Sequence, residues 1–312
     1  MTNGDSVAGA LGATNLGGAV LSWQDVLHEG PVPAGSRGAL LAARSEFLAA
    51  SGWGDVAEIR ASFEARDAQL LTALAGGGEV VLWFEHDLYD QLQLVDVLSL
   101  AAAEGGDASR IELIVIGAFP GRPDFRGLGE LTPAELESLW PARRLCSEQA
   151  LAAAGAAWAA FRTPEPTSLA ALAGQDMPEL PFLRAALLRL LEELPGARDG
   201  LSGVERRALQ AVEAGAASPV EAFLAAQDAE QAPFLGDVWF FRTVEALRRG
   251  EVGLVETRDG GLRLTELGRR VLAGEADRVA LPGIDRWVGG THLTPATLWR
   301  WDAARATLLP PA

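Results

Sequence analysis

The segment 83–92, WFEHDLYDQL, places ionisable side chains where an apolar run gives way to a helical pattern. Glu85 and His86 end the apolar run, and Asp87 and Asp90 begin the helical pattern. Helix capping explains the two aspartates, because both favour the positive end of a helix. Capping does not explain Glu85 or His86. The pattern therefore predicts ligand binding or acid–base chemistry at this junction, with an elaborate helix cap as the alternative.

Two other polar clusters are expected at the same edge of a sheet. Residues 3–6 read NGDS, where a first strand should end, and residues 28–31 read HEGP, after the apolar segment 19–23. The carboxyl ends of parallel strands share one edge, and ligands bind there because loops and helix N-termini converge. Ordinary turns are the structural alternative for both clusters, since Gly and Pro interrupt helices and Asp or Ser caps them.

The residues of these clusters are candidates for catalysis or for ligand binding. The candidates for catalysis are His28, His86, Ser6, Glu29, Glu85 and Asp87. The candidates for ligand binding are Asn3, Gly4, Asp5, Gly30, Asp90 and Gln91. The NGDS turn would receive an anionic group, the histidines would act as acid or base, and the carboxylates would orient them or hold a metal. The sequence identifies neither a particular metal nor a cofactor, because it has no ligand spacing such as HExxH.

A nucleophilic role for Ser6 invites comparison with the Gly-Asp-Ser hydrolases, whose serine also follows a first strand. The late segment GGTHLTP is superficially similar to their Asp-x-x-His block. Gly289 stands where the aspartate should be, however, and no Gly-x-Asn-Asp sequence occurs. Hydrolysis is therefore one prediction beside simple ligand binding.

Composition restricts the class of protein. The 312 residues are 49% hydrophobic and 22% charged, as in globular domains, and this length predicts two of them. The formal net charge of −16 argues against a general nucleic-acid or anionic-membrane binder. Arginine provides all the basic side chains, which excludes chemistry that depends on lysine. A lone cysteine, Cys146, and the lack of a leader or spanning segment predict a cytoplasmic protein.

The elements that must position the clusters alternate in the first part of the chain. Apolar segments 19–23, 79–85 and 111–118 predict strands, and helical patterns lie between them. This alternation predicts an α/β fold with a Rossmann-like, mostly parallel sheet. Such a sheet requires a strand before NGDS, so we expect the first strand to be truncated or the reading frame to begin late.

The second part of the chain predicts a winged-helix-like domain. Three helical patterns are followed by a hairpin that turns at residues 259–261 and by a closing helix. Arg242, Arg248 and Arg249 on the third helix occupy positions that a DNA-binding winged helix would use. That helix is also strongly apolar, which favours packing or protein contact over DNA.

The chain resembles a bacterial family known as domain of unknown function 1835 in the segments NGDS, SWQDVLHEGPV, WFEHDLYDQL and IDRWVGGTHL. From GLSGVERRALQ through the WVGG segment, it is similar to the companion domain of unknown function 3658. The resemblance covers nearly the whole chain and implies the two-domain architecture. It also implies a short apolar segment before NGDS, and it transfers no activity.

The predicted organisation is an α/β domain over residues 1–165, a helical linker over 166–200, and a winged-helix-like domain with a tryptophan-rich tail over 201–312. The predicted function is binding of a small polar or phosphorylated ligand by the first domain, with hydrolysis as an extension. The alternative is a non-enzymatic regulatory or adaptor protein that acts through protein or DNA contacts of the second domain. No membrane partner is expected.

Overall fold

The computed structural model describes residues 1–250 and 252–311, which form two compact units. The first unit contains Met1–Ala186 and the short segment Gly289–Thr291. The second unit contains Leu187–Val288 and continues from His292. The predicted domain limits at residues 165 and 200 stay predictions.

The first unit combines helices with a small sheet, which confirms the prediction of a mixed α/β fold. Its strands are β1 (Val80–Glu85), β2 (Ile111–Ile116) and β3 (Arg144–Leu145), in the order β1-β2-β3. β1 and β2 pair in parallel, and β3 pairs antiparallel with β2. The helices described in this part of the chain are α1 (Asp5–Gly12), α2 (Arg37–Ala50), α3 (Val56–Ala75), α4 (Leu88–Ala103), α5 (Pro133–Leu139), α6 (Glu148–Phe161), α7 (Thr167–Ala173) and α8 (Leu183–Leu191).

The sheet is smaller than the Rossmann-like prediction at its N-terminal side. Thr2 forms isolated parallel bridges to Ser22 on one side and to Trp83 on the other. Its N–H donates to the Leu21 carbonyl at 3.1 Å, and the Trp23 N–H donates to the Thr2 carbonyl at 2.7 Å. The segment 19–23, which was predicted as a strand, is therefore reduced to a bridge at Ser22. Within the described residues this segment pairs with Thr2 alone, so its hydrogen bonds do not extend into a ladder.

Helix α4 follows β1 and is buried along nearly all of its length. Asp87 is its N-cap, with Oδ1 accepting a hydrogen bond from the Asp90 N–H at 3.0 Å, which confirms the capping prediction. The helix also buries Gln91, Gln93 and Asp96. Buried polar groups require hydrogen-bond partners, so α4 organises much of the polar interior of this unit.

The second unit has the predicted order of three helices, a hairpin and a closing helix. The turn between the hairpin strands contains Asp259 and Gly260, both with positive φ, as the DGG sequence predicts. The elements from here to the C-terminal tail are α9 (Gly203–Glu213), α10 (Pro219–Asp228), α11 (Asp237–Arg248), β4 (Val255–Arg258), β5 (Gly261–Leu264), α12 (Glu266–Leu272), β6 (Arg286–Val288), β7 (Thr291–Leu293), β8 (Arg300–Asp302) and β9 (Thr307–Leu309). Across the described residues, no helix is both long and apolar enough to cross a bilayer.

Candidate functional site

Three carboxyl groups meet at the carboxyl end of β1. Oxygens of Glu85, Asp87 and Asp90, here named the carboxyl cluster, lie within 4.8 Å of one another, and all three residues are buried. β1 ends at Glu85 and α4 begins directly after Asp87, so the strand-to-helix junction assembles the cluster. Asn3 reaches the same place and donates from Nδ2 to Asp90 Oδ1 at 2.5 Å. Two of the three predicted polar clusters are thus brought together.

Hydrogen bonds from neutral donors hold the carboxyl cluster. The Leu128 N–H donates to Glu85 Oε1 at 2.6 Å, and the Glu85 N–H donates to Asp90 Oδ2 at 2.5 Å. The Gln91 side chain does not reach a carboxylate; its Nε2 donates to the Glu85 carbonyl at 2.6 Å. Among the ion pairs of the described residues, none joins an arginine to the cluster. Its charge must therefore be balanced by protons or by a bound cation.

Burial raises the pKa of each carboxyl group in the cluster, and neighbouring charges add to the rise at Glu85 and Asp90. Burial, followed by the charge of Asp87, raises the pKa of Glu85 to about 8. Burial raises the pKa of Asp87 to about 6, and burial together with its two neighbours raises that of Asp90 well above its usual range. Groups this close titrate as a unit, so the cluster retains a proton at neutral pH. It can donate that proton to a ligand, or exchange it for a divalent cation.

His86 follows Glu85 in the chain and is half-buried. Its ring packs edge-on against Phe182, with centroids 5.8 Å apart, and close to the backbone of Gly117. Nδ1 has no hydrogen-bond partner in the described residues, and burial lowers the pKa of the imidazole. A neutral imidazole can accept a proton, which is the role of a general base.

The HEGP segment is held in place by a buried arginine that sequence reasoning missed. Arg44 on α2 pairs with Asp25 at 2.6 Å and donates to the carbonyls of Val26 and Glu29 at 3.0 and 2.6 Å. The hydrogen bond from Arg44 to the Glu29 carbonyl anchors Glu29 within the turn. His28 is buried with its ring edge-on to Tyr89, at a centroid distance of 5.9 Å.

Glycines allow the same turn to pack closely. Gly30 has a φ of +73°, and a Cβ there would collide with the ring of Phe47. The Val32 N–H donates to the carbonyl of Gly289 at 2.8 Å, and the Gly290 N–H donates to that of Phe161 at 2.9 Å. Gly289 and Gly290 of the WVGG segment therefore belong to the packing of the first unit, because glycine lets two backbones approach.

Replacing Gly290 by alanine is expected to lower the free energy of unfolding by about 1–3 kcal/mol, since the new Cβ would overlap the backbone of Arg162. Gly155 provides the matched control. A Cβ at this position of α6 meets nothing within 4 Å, so Gly155→Ala should be stabilising by about 0.5–1 kcal/mol. Chemical denaturation of both variants checks the pair, and equal effects would contradict the close approach.

The NGDS turn differs from the predicted side-chain cap, and its role in receiving an anionic group stays a prediction. The N-cap of α1 is Gly4, with extended backbone and no side-chain cap, so neither Asp5 nor Ser6 caps the helix. Asp5 accepts a hydrogen bond from Ser22 Oγ at 3.1 Å. Ser6 is exposed in the first turn of α1, near Gly129.

A cavity of about 760 Å³ opens in the first unit, which falls within the size range of small-molecule sites. Its walls come from α1, residues 21–26, α2, the loop at residues 53–54, α3 and the first turn of α4. The lining includes Asp5, Gln24, Asp25, Trp53, Arg66 and Tyr89. Of the predicted site residues, Asp5 reaches this cavity directly. Tyr89 also lines the cavity, and its ring contacts that of His28.

A network of ion pairs surrounds Trp23 and reaches the cavity through Arg66. Arg37 donates hydrogen bonds to the carboxylates of Asp67 and Asp96. Trp23 Nε1 donates to Asp96 Oδ2 at 3.0 Å. The Arg66 guanidinium lies 3.9 Å from the centroid of the Trp23 ring and also pairs with Asp67.

One sequence signal could have revealed the buried arginine of α2. Arg44 falls on the same apolar face of the helix as Leu40 and Leu41.

No protein-family model matches this chain, and no curated protein is significantly similar to it. The resemblance to the two domains of unknown function therefore stays a prediction.

Proposed function

We propose that the first unit binds a small polar ligand in the 760 Å³ cavity. The observation that carries this proposal is the lining itself, in which buried Asp25 and Arg66 stand beside Gln24, Tyr89 and the indole of Trp53. Ligand sites combine an apolar wall with a few placed polar groups, as this lining does.

We extend the proposal to hydrolysis of the bound ligand. The carboxyl cluster is the proposed proton donor to the leaving group, and His86 is the proposed acceptor of a proton from water. Neither is among the described residues that line the cavity, so the ligand would have to extend from the cavity to the carboxyl end of β1. Tyr89 supports this extension, since it lines the cavity and its pKa is raised by burial and by the charges of Asp90 and Asp25. A divalent cation held by Glu85, Asp87 and Asp90 would serve the same step by activating water.

The two finer fold assignments are part of the proposal. A Rossmann-like arrangement of the first unit is supported by the parallel pairing of β1 with β2 and by the parallel bridges of Thr2. A winged-helix-like arrangement of the second unit is supported by the order α9, α10, α11, β4, β5, α12.

Within the adaptor alternative, DNA binding by the second unit has less support than protein contact. Arg248 and Arg249 both form ion pairs with Glu245, and the Arg242 guanidinium lies 4.8 Å from the centroid of the Trp239 ring. Glu245 offsets part of the charge of Arg248 and Arg249, which lowers the positive potential that phosphate binding requires.

Filling the cavity is expected to abolish ligand binding without unfolding the protein. Ser62 lines the cavity from an exposed position on α3, so a phenylalanine side chain there would occupy the ligand space. A panel of polar metabolites screened by thermal shift should give hits whose affinity, measured by calorimetry, falls at least about tenfold in Ser62→Phe. Product release from a hit by the native chain, lost in Glu85→Gln, would support hydrolysis.

The neighbouring position supplies the control. Ala61 is also exposed on α3, and Ala61→Phe adds the same bulk to the adjacent position, so it should keep the native affinity. Hits that bind Ser62→Phe as tightly as the native chain would place the ligand elsewhere. A panel without hits would contradict the proposal.

A further inference from the structure

We propose that the ligand of this cavity carries a cationic amine or guanidinium group joined to an apolar or aromatic body. This inference rests on the proposed function, because it takes the 760 Å³ cavity to be the ligand site.

The charge of the lining favours a cation. Asp25 is balanced by Arg44 at 2.6 Å, and Arg66 is balanced by Asp67 at 3.3 Å. Asp5 and Glu58 also line the cavity, and within the described residues neither forms an ion pair with an arginine. Asp5 accepts only a neutral hydroxyl donor there, Ser22 Oγ. The cavity therefore presents about two negative charges that no described arginine compensates.

The aromatic surface of the cavity favours the same ligand. Trp53 lines the cavity with 51% of its surface exposed, and Phe63 lines it from α3. The Arg66 guanidinium already lies 4.6 Å from the centroid of the Phe63 ring, so this wall stabilises one cation of the protein itself. A second cation with an aromatic body would find the same kind of face at Trp53.

An anionic ligand would find little to bind. Arg66 is the cation among the described lining residues, and its donors already serve the Gln24 carbonyl and Asp67 while its face lies on Trp23. A phosphate in this cavity would meet Asp5 without a free guanidinium in compensation. The net charge of −16 acts in the same direction, because it attracts cations and repels anions at long range.

Matched compounds test this inference by calorimetry. Tryptamine, tryptophol and indole-3-propionate share one ring and differ in a cationic, neutral or anionic end group; agmatine, spermidine and their hydroxyl analogues widen the series. The best amine should bind at least about tenfold more tightly than its neutral and anionic analogues, with an affinity that falls as salt rises. Its binding must also be lost in Ser62→Phe.

Glu58→Gln should weaken binding of that amine by about three- to tenfold, whereas Glu64→Gln should leave it unchanged. Both residues lie on α3, but Glu64 is paired with Arg60 and does not line the cavity. A neutral or anionic analogue that binds as tightly as the amine, and is lost in Ser62→Phe, overturns the cation inference and leaves the proposed function standing. If no compound of the series or of the metabolite panel is lost in Ser62→Phe, both fail.

Discussion

Replacing Arg44 by leucine is expected to lower the free energy of unfolding by about 3–5 kcal/mol. The guanidinium is fully buried, and its removal leaves the buried carboxylate of Asp25 without its cation. The carbonyls of Val26 and Glu29 lose their donor in the same step. Urea denaturation monitored by tryptophan fluorescence measures the loss, and an effect below about 1 kcal/mol would contradict the buried pair.

Two further variants separate burial from charge. Arg60→Leu removes an arginine from an exposed pair with Glu64, one helical turn away, and should cost less than about 1 kcal/mol. The double variant Arg44→Leu, Asp25→Leu should lose less than the sum of its single changes, since no charge remains unpaired. Additive losses would mean that Arg44 acts through its backbone contacts instead.

Arg44 also links stability to the candidate site. Its carbonyl contacts hold the turn that carries His28, and Asp25 lines the cavity. A protein with Arg44→Leu that remains folded at low temperature should therefore bind cavity ligands more weakly than the native chain does.

The free energy of unfolding is expected to fall as pH rises from about 5 to about 8, and Glu85→Gln should remove much of this fall. In the folded chain the pKa of Glu85 is raised to about 8 by burial and by Asp87, from an ordinary value of 4.5. The folded state thus binds the proton more tightly than the unfolded state. The resulting stabilisation is complete below the ordinary carboxyl range and is lost as pH rises through about 8.

The size of this effect follows from proton linkage. One proton changes the free energy of unfolding by at most about 1.4 kcal/mol per pH unit, so the native chain should lose roughly 3 kcal/mol relative to Glu85→Gln between pH 5 and 8. Asp87, with a pKa of about 6, adds to the lower half of the same window. Denaturation curves at several pH values in the presence of a chelator give the comparison, with Glu64→Gln as an exposed control.

Parallel pH profiles for the native chain and Glu85→Gln would contradict a shared proton in the carboxyl cluster. Adding Mg²⁺ or Mn²⁺ tests whether a bound cation, in place of a proton, can balance the charge of the carboxyl cluster. A cation bound by the cluster would restore stability at pH 8, because it replaces the proton that the rising pH removes.

The amino-acid sequence by itself determined most of the local structure. Alternating apolar and helical patterns predicted β1, β2 and the helices beside them, and the cap at Asp87 was readable because capping depends on residues only three positions apart. The WFEHDLYDQL segment marked the carboxyl cluster for the same reason, since its members are neighbours in the chain.

Only the tertiary structure decided which distant residues join them. Asn3 meets Asp90 across 87 positions, and Arg44 meets Asp25 across 19 positions, contacts that leave no periodic signal in the sequence. The cavity likewise depends on how α1, α3 and α4 pack. Trp53 and Glu58 can be recognised as candidate ligand contacts only because they line it. Local hydrogen bonding and hydropathy act over a few residues, whereas burial and charge compensation are set by the whole fold.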